Sequence, residues 1–410
     1  MNDSTPLIPF LYVFCVWIYK LTIEGDVAIK NWKSKITNTI GKAENFSDLI
    51  RYRIKKIFGY EGPLKVVPYL GYGTASRLFL NGRVLENYIP LDGATTSLDN
   101  LLNLYKRFET DEIPKARIRA RFQNVETEAV TDEGGYFNLE IKPAEALQDR
   151  LWHEVELMLL YPKSKGGSSI RAVSQVLVPP PSAKFGIISD IDDTIVPSHI
   201  TNKIKMVLTV ALLNERTRLP FKGVSGFYRA LQRGAGGNDN NPIFYVSGSP
   251  WNLYEPLVEF LKIHGIPLGP LSLRDWGGHI IFSSANPYRH KIGKIEEVLD
   301  LYPHLPFILI GDSGELDPEI YRDVVNKYPN RIRVIYIRNI NPDSTRIAAI
   351  DKLIEEVHQT GCQLVLVPDT EFAAAHAAAE GLILTDALSY VRSEKQTDEN
   401  APSPEEIIAE

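Results

Sequence analysis

Phe185-Gly186-Ile187-Ile188-Ser189-Asp190-Ile191-Asp192-Asp193-Thr194 is the stretch whose reading decides the fold. A short apolar run leads straight into an acidic cluster. Apolar runs without strict alternation read as strands buried on both faces, as in a parallel sheet. The texture of Phe185–Ile188 returns at Ile243–Val246, Phe307–Ile310, Ile332–Ile337 and Gln363–Val367, with helical stretches between. That alternation predicts an α/β fold with a parallel sheet covered on both faces. Ligands bind such sheets outside the carboxyl ends of the strands.

Three of these strands end in polar residues that belong together. Asp190 and Asp192 project the same way at the first strand end. Repelling carboxylates there need an outside partner, and a divalent cation is the obvious one. One carboxylate can attack while the other handles a proton. Ile243–Val246 run into Ser247-Gly248-Ser249-Pro250-Trp251. A hydroxyl with small neighbours just before a helix suits an anion, held by side chain and backbone N–H groups. Phe307–Ile310 run into Gly311-Asp312-Ser313-Gly314-Glu315-Leu316-Asp317, bringing one or two more carboxylates to the same edge. A helix beginning near His290 and Lys291 lies between the last two strands. The Lys291 ammonium can reach a phosphate, with Lys294 one turn later as its rival. The pieces make one reading: acids holding Mg²⁺, a hydroxyl and a lysine clasping a phosphate, and an aspartate as nucleophile.

A lone DxDxT pattern is weak, since acidic loops are common. Its weight here comes from complementary groups at two further strand ends. An EF-hand loop fails for lack of the required glycine and distal glutamate. Ser247 lacks the G-x-S-x-G frame of an acyl-transfer nucleophile. No GxxxxGK[ST] phosphate loop occurs.

The 410 residues suffice for two or three domains at ~150 residues each. Hydrophobic residues at 44% and charged residues at 23% exclude a disordered, collagen-like or multi-span membrane chain. A net charge of −6 argues against a dominant nucleic-acid role. Cys15 and Cys362 stand far apart and make no CxxC site or disulfide framework, so a reducing compartment is expected. Internal repeats are absent.

Residues 1–60 form a first segment. Leu7–Tyr19 (LIPFLYVFCVWIY) is the most apolar run, shorter than the ~20 residues of a spanning helix. It lacks the positive flank and clean cleavage site of a signal peptide. A monotopic anchor, a docked segment and a misplaced start codon stay open. Phe46, Leu49, Ile50, Ile54, Ile57 and Phe58 recur at helical spacing, with Arg51, Lys55 and Lys56 elsewhere on the helix. That pattern suits a basic amphipathic helix on an anionic membrane, though Arg53 falls inside the stripe and a surface helix on the next domain fits as well. The Asn45-Phe46-Ser47 glycosylation triplet reads as accidental in a reducing compartment.

Residues 61–181 have β texture. Ala116–Phe122 and Tyr136–Ile141 alternate, the latter after an Asp132-Glu133-Gly134-Gly135 turn. Ser76–Leu85 and Val155–Leu160 read as further strands. A small β-sandwich serving as scaffold or recognition module is expected. Val178-Pro179-Pro180-Pro181 makes a stiff connector into the catalytic domain, residues 182–392. Residues 393–410 read as a disordered acidic tail.

Asp190-Ile191-Asp192-Asp193-Thr194, Ser247, Lys291 and Gly311-Asp312 with Asp317 resemble, in order, the four motifs of the haloacid dehalogenase superfamily. Tyr245 to Leu253, Leu273-Arg274-Asp275-Trp276-Gly277 and Gly311 to Tyr321 further resemble the actin-patch-associated phosphatidate phosphatase family, relatives of the lipins. Val67 to Gly73 is similar to the segment preceding the catalytic domain in bacterial members. The resemblance covers most of residues 60–370. It implies a Rossmann-like parallel sheet of the haloacid dehalogenase type and a Mg²⁺-dependent phosphatidate phosphatase. The implied nucleophile is Asp190, and Asp192 is the acid and base. Mg²⁺ would be held by Asp190, Asp312 and the Asp192 backbone carbonyl. Ser247, Gly248 and Lys291 would bind the phosphoryl oxygens, Thr194 would fix the turn, and Asp317 would orient Asp312 or metal waters. Arg274 would pair with the phosphate head, or with Asp275 in a buried ion pair. Ile200–Arg233 would form a helical flap. The adaptor tails of fungal members have no counterpart, so an actin role does not carry over. The expected setting is cytoplasmic and peripheral at a membrane surface, with no nucleic acid and no obligate protein partner. A soluble phosphate monoester is the alternative substrate, and an inactive membrane-associated adaptor module the alternative function.

Overall fold

The computed structural model describes residues 63–86, 112–163, 169–195, 221–274, 286–340 and 343–400. The apolar run, the amphipathic helix, most of the expected flap and Asp275 to Gly277 lie outside them.

The first half is an antiparallel system. Its strands are β1 (Leu64–Pro68), β2 (Gly71–Thr74), β3 (Arg77–Glu86), β4 (Arg117–Phe122), β5 (Val125–Val130), β6 (Tyr136–Ile141), β7 (Trp152–Tyr161) and β8 (Arg171–Leu177). Hydrogen bonds join all of them into one sheet, β1-β3-β2-β8-β7-β4-β5, with β6 on β3. The long β3 pairs with β1, β2 and β6 along its length. Where a small sandwich was expected, the pairing thus gives a single connected sheet, antiparallel except for β2 with β8. The alternation in β4 follows the burial: Ile118, Ala120 and Phe122 point inward, while Arg117 and Arg121 face solvent.

The second half is parallel. Strands β9 (Gly186–Asp190), β10 (Ile243–Pro250), β11 (Leu271–Arg274), β12 (Phe307–Asp312), β13 (Ile332–Arg338) and β14 (Gln363–Val367) line up as β11-β10-β9-β12-β13-β14. Between and after them run α1 (Val224–Arg233), α2 (Tyr254–Ile263), α3 (Pro287–Leu301), α4 (Asp317–Lys327), α5 (Ser344–His358), α6 (Thr370–Ala379) and α7 (Ala387–Asn400). The apolar runs are continuous because alternate residues feed two cores. Ile187, Ile308 and Ile310 pack with α1, α2 and α6, whereas Ile188, Phe307 and Leu309 pack with α3, α4 and α5. The antiparallel sheet adds to both, through Val67, Tyr69 and Leu85 on one side and Leu151 and Leu177 on the other.

The halves are also stitched by polar and aromatic contacts. Leu70 N donates to Tyr254 Oη at 2.6 Å, and Tyr302 Oη donates to the Gly73 carbonyl at 3.0 Å. Tyr69 stacks on Trp251 with ring centres 4.5 Å apart.

Two expectations change. The described end of the expected flap, residues 224–233, is α1, a crossover helix rather than a cover. Val224, Phe227, Tyr228 and Leu231 are buried along one side of it, and Tyr228 Oη lies 2.6 Å from Ser189 Oγ. The polar tail expected from residue 393 begins inside α7. Glu394 accepts from Ser225 Oγ at 2.7 Å and pairs with Arg229, and Lys395 Nζ meets Asp369 at 2.8 Å. Charges with fixed partners do not behave as a solvated tail.

Candidate active site

The sheet order brings the predicted strand ends together. β9 is central, with β10 and β12 on either side. Val246 pairs with Asp190, so Ser247 lies one residue beyond it. Ile310 pairs with Ser189, which carries Asp312 to the same edge. After Asp190 the chain turns sharply. Asp193 takes a positive φ of 53°, a conformation aspartate tolerates better than most residues. Ile195 N then donates to the Ile191 carbonyl at 2.8 Å, closing the turn.

Lys291 comes from the start of α3. Asn286 caps that helix, accepting from Tyr288 N at 3.0 Å, and Pro287 is its first residue. One turn on, the buried Lys291 ammonium lies 2.8 Å from Asp190 Oδ1, 2.5 Å from Asp317 Oδ1 and 3.1 Å from Glu315 Oε2. Lys294 instead pairs with Glu297 at 2.8 Å, with its side chain partly exposed.

Asp317 can lie against β12 only because residue 311 is glycine. A Cβ there would come within 2.3 Å of Asp317 Oδ2. The same Oδ2 accepts from Asp312 N at 3.2 Å. Asp312 Oδ1 accepts from Gly314 N at 2.6 Å and Glu315 N at 3.0 Å, so the loop fixes that carboxylate from below.

Some oxygens remain uncommitted. Asp190 Oδ2 and Asp312 Oδ2 are buried without a hydrogen-bond donor, and Asp190 Oδ1 has only the Lys291 ammonium beside it. Oxygens of Asp190, Asp312 and Glu315 all lie within 4.8 Å of one another. Buried carboxylates are normally satisfied. Convergent carboxylate oxygens, with buried and bare ones among them, fit a hard divalent cation, which takes carboxylate ligands and keeps waters. The expected metal set was Asp190, Asp312 and Asp192, the last through its backbone carbonyl. The structure groups the first two with Glu315, while the Asp192 carboxylate turns toward two serines. Ser247 Oγ donates to Asp192 Oδ2 at 2.5 Å, and Ser249 Oγ to Oδ1 at 3.0 Å.

The electrostatics agree. Five carboxylates (Asp190, Asp192, Asp312, Glu315 and Asp317) crowd here, and among the described residues Lys291 is the cation in ion-pair contact with them. Burial pushes Asp190 well above the ordinary carboxylate range, against the pull of Lys291. Burial also raises Asp192, opposed by its bond from Ser247. Burial works against the Lys291 ammonium, but Asp190 and Asp317 outweigh it and keep the lysine charged. Asp312 is pushed up to about 7, by burial first and Asp317 second.

A folded-state carboxyl that binds its proton more tightly than the unfolded one destabilises the fold as pH rises. In chelator, the protein should therefore lose stability between about pH 4 and pH 7. Asp312→Asn removes that charge. It should melt higher than wild type in chelator at pH 7.5, by roughly 2–4 °C per kcal/mol relieved. Mg²⁺ should raise the melting temperature of the wild type but not of the variant. Differential scanning fluorimetry reads both, and a variant that melts lower than wild type in chelator would contradict the assignment.

The structure thus brings Asp190, Asp192, Ser247, Lys291, Asp312 and Asp317 together. Thr194 is buried just past the turn, with its hydroxyl unpartnered. Gly248 stands between the two serines on β10, and a Cβ there would meet nothing within 4 Å. Arg274 ends β11, beside the strand that carries Ser247. Two residues received no role from sequence: Glu315 and Ser249. The spacing Ser247-x-Ser249 was the available signal for the second, since residues two apart on a strand share a face.

Residues 185–339 match the family model described as the catalytic domain of phosphatidate phosphatase APP1. Phosphatidate phosphatase APP1 of Saccharomyces cerevisiae is 35% identical over 158 residues, 38% of this chain and 26% of that protein. An uncharacterized protein of Schizosaccharomyces pombe is 26% identical over 301 residues, 72% of this chain and 48% of that one. The chain therefore spans less than half the length of these curated relatives. Among solved structures, a carbohydrate acetylesterase from Xanthomonas citri aligns at TM-score 0.25 and 14% identity, covering 72% of this chain and 75% of its own. A likeness that low says nothing about the site.

Proposed function

We propose that this chain is a Mg²⁺-dependent phosphatidate phosphatase, converting phosphatidate to diacylglycerol and phosphate through an aspartyl-phosphate. The observation that carries the reading is the meeting of Asp190, Asp312 and Glu315 oxygens, the two aspartates buried and each with an oxygen left bare, beside Lys291. The match over residues 185–339 supports phosphatidate as substrate. On this reading the parallel half is a haloacid dehalogenase-type Rossmann domain.

The chemistry follows from the residues. An Asp190 oxygen attacks phosphorus, and the bond from phosphorus to the glycerol oxygen breaks. Asp192 gives its proton to the departing alkoxide. Diacylglycerol leaves, and Asp192, now a carboxylate, takes a proton from water as that oxygen attacks the phosphorus. The Asp190 carboxylate departs with its electron pair, releasing phosphate. Asp190, Asp312 and Glu315 would hold the cation. When bound, it offsets the charge on the phosphoryl oxygens. Lys291 pulls Asp190 toward its ionised form and orients it, Asp317 holds Lys291 and the Asp312 backbone, and Ser247 with the Gly248 backbone faces the phosphoryl group.

A diacyl substrate stays in its bilayer, so the enzyme works at the membrane surface. Among the described residues no helix is long and apolar enough to cross a membrane. Leu316, 52% exposed next to Glu315, gives the rim an apolar contact.

The test is phosphate release from phosphatidate, lysophosphatidate and p-nitrophenyl phosphate, each with Mg²⁺ or chelator. Phosphatidate should turn over fastest and only with Mg²⁺. Turnover confined to soluble esters would move the reading to a metabolite phosphatase, and no turnover at all would leave the adaptor alternative.

A further inference from the structure

Asp192 is held at both ends. Its Oδ2 accepts from Ser247 Oγ at 2.5 Å and its Oδ1 from Ser249 Oγ at 3.0 Å. The two serines are bonded to each other as well: Ser249 N donates to Ser247 Oγ at 2.9 Å. All three residues are buried. They share a direction because β10 stays extended through Pro250, so positions 247 and 249 fall on one face, with Gly248 on the other.

The donors settle the direction of each bond. A backbone N–H only donates, so Ser247 Oγ accepts from Ser249 N, and toward an ionised Asp192, which only accepts, it must donate its single proton. That proton is committed to Asp192. In the phosphatase reading the same proton faces a competing acceptor once substrate arrives, a phosphoryl oxygen. One proton cannot serve both. Ser249 has no such conflict, since its hydroxyl is directed at Asp192 alone among the side chains within bonding distance.

We propose that Ser249 is the positioning residue of the acid, holding the Asp192 carboxyl plane in line with the departing oxygen after Ser247 has turned to the phosphoryl group. The inference rests on the phosphatase reading and divides labour within it. Ser247 is shared between acid and substrate. Ser249 serves the acid only. Its effect should therefore appear where protonation of the leaving group matters and vanish where it does not. An alkoxide is a poor leaving group that needs the proton. A p-nitrophenolate leaves readily without one.

The experiment compares kcat/KM for phosphatidate and p-nitrophenyl phosphate in wild type, Ser249→Ala, Ser249→Thr and Asp192→Asn. This ratio reports only the steps up to leaving-group departure, so the later attack of water does not enter. Ser249→Ala should lose on the order of 10²-fold on phosphatidate, the low end for acid catalysis, and under about threefold on p-nitrophenyl phosphate. Ser249→Thr, which keeps the hydroxyl, should restore both. Because the readout is the quotient of the two substrates, a loss of folded enzyme cancels. Equal losses on both substrates, or no loss, overturn the assignment of Ser249 provided Asp192→Asn remains selective. If Asp192→Asn also loses both equally, the acid itself is misassigned and the phosphatase mechanism falls with it.

Discussion

Asp190→Asn should lower kcat on phosphatidate by at least about 10⁴-fold and leave the protein folded. An amide cannot form the acyl-phosphate, and the remaining site residues act as a unit around it. The fold should tolerate the change because Asp190 is an electrostatic cost in the free protein. Its carboxyl is fully buried and faces several other acids, and its cationic neighbour Lys291 keeps Asp317 and Glu315 as partners when the Asp190 charge is removed. Asparagine keeps the shape and removes one charge from the cluster. Circular dichroism and a thermal melt in chelator should match or exceed wild type, while phosphate release falls to background. Phosphate release near the wild-type rate would remove the nucleophile and, with it, the mechanism. A folded but inactive protein would keep the mechanism whatever the preferred lipid proves to be.

Lys291→Met should have the largest effect on stability. Removing one partner of a buried ion pair typically costs 3–5 kcal/mol. Lys291 is in contact with three carboxylates, two of them fully buried. Methionine fills much of the volume but leaves Asp190 and Asp317 facing each other without their cation. Urea unfolding in chelator should show a midpoint drop of this size, and turnover should be lost even where the protein is folded. Because the penalty comes from unpaired negative charge, lowering the pH toward 5 should recover part of the stability. Adding Asp317→Asn to Lys291→Met should recover part of it at neutral pH. A single variant as stable as wild type would show that the lysine is not the counter-charge the geometry makes it.

Much of the parallel half was legible because its strands are short apolar runs that end in clustered polar residues. β14 was read with its observed bounds, and β9, β10, β12 and β13 within a few residues. The order β10-β9-β12 was not legible, yet it is what makes Ser247 and Asp312 flank Asp190. β5 escaped because Val-Glu-Thr-Glu-Ala-Val buries nothing fully and lies at a sheet edge. The flap was misread at its end although Val224, Phe227, Tyr228 and Leu231 carry the i, i+3, i+4, i+7 spacing of a core-facing helix. The expected tail begins as helix because composition shows charge but not partners, and Glu394 and Lys395 have theirs on α1 and at the start of α6, while residues 401–410 lie outside the described residues. At the site, sequence singled out residues that the structure brings close together but could not say which acid turns inward. That depends on loop geometry, which aims Glu315 at Asp190 and Asp192 at the serines.

The stack of Tyr69 on Trp251 has an implication for truncation. Trp251 follows the serine-bearing end of β10 directly, and its ring rests on a residue some 180 positions earlier in the chain. A chain cut at the proline run would lose the ring on which Trp251 rests, together with Val67 and Leu85 of the apolar core that the two halves share.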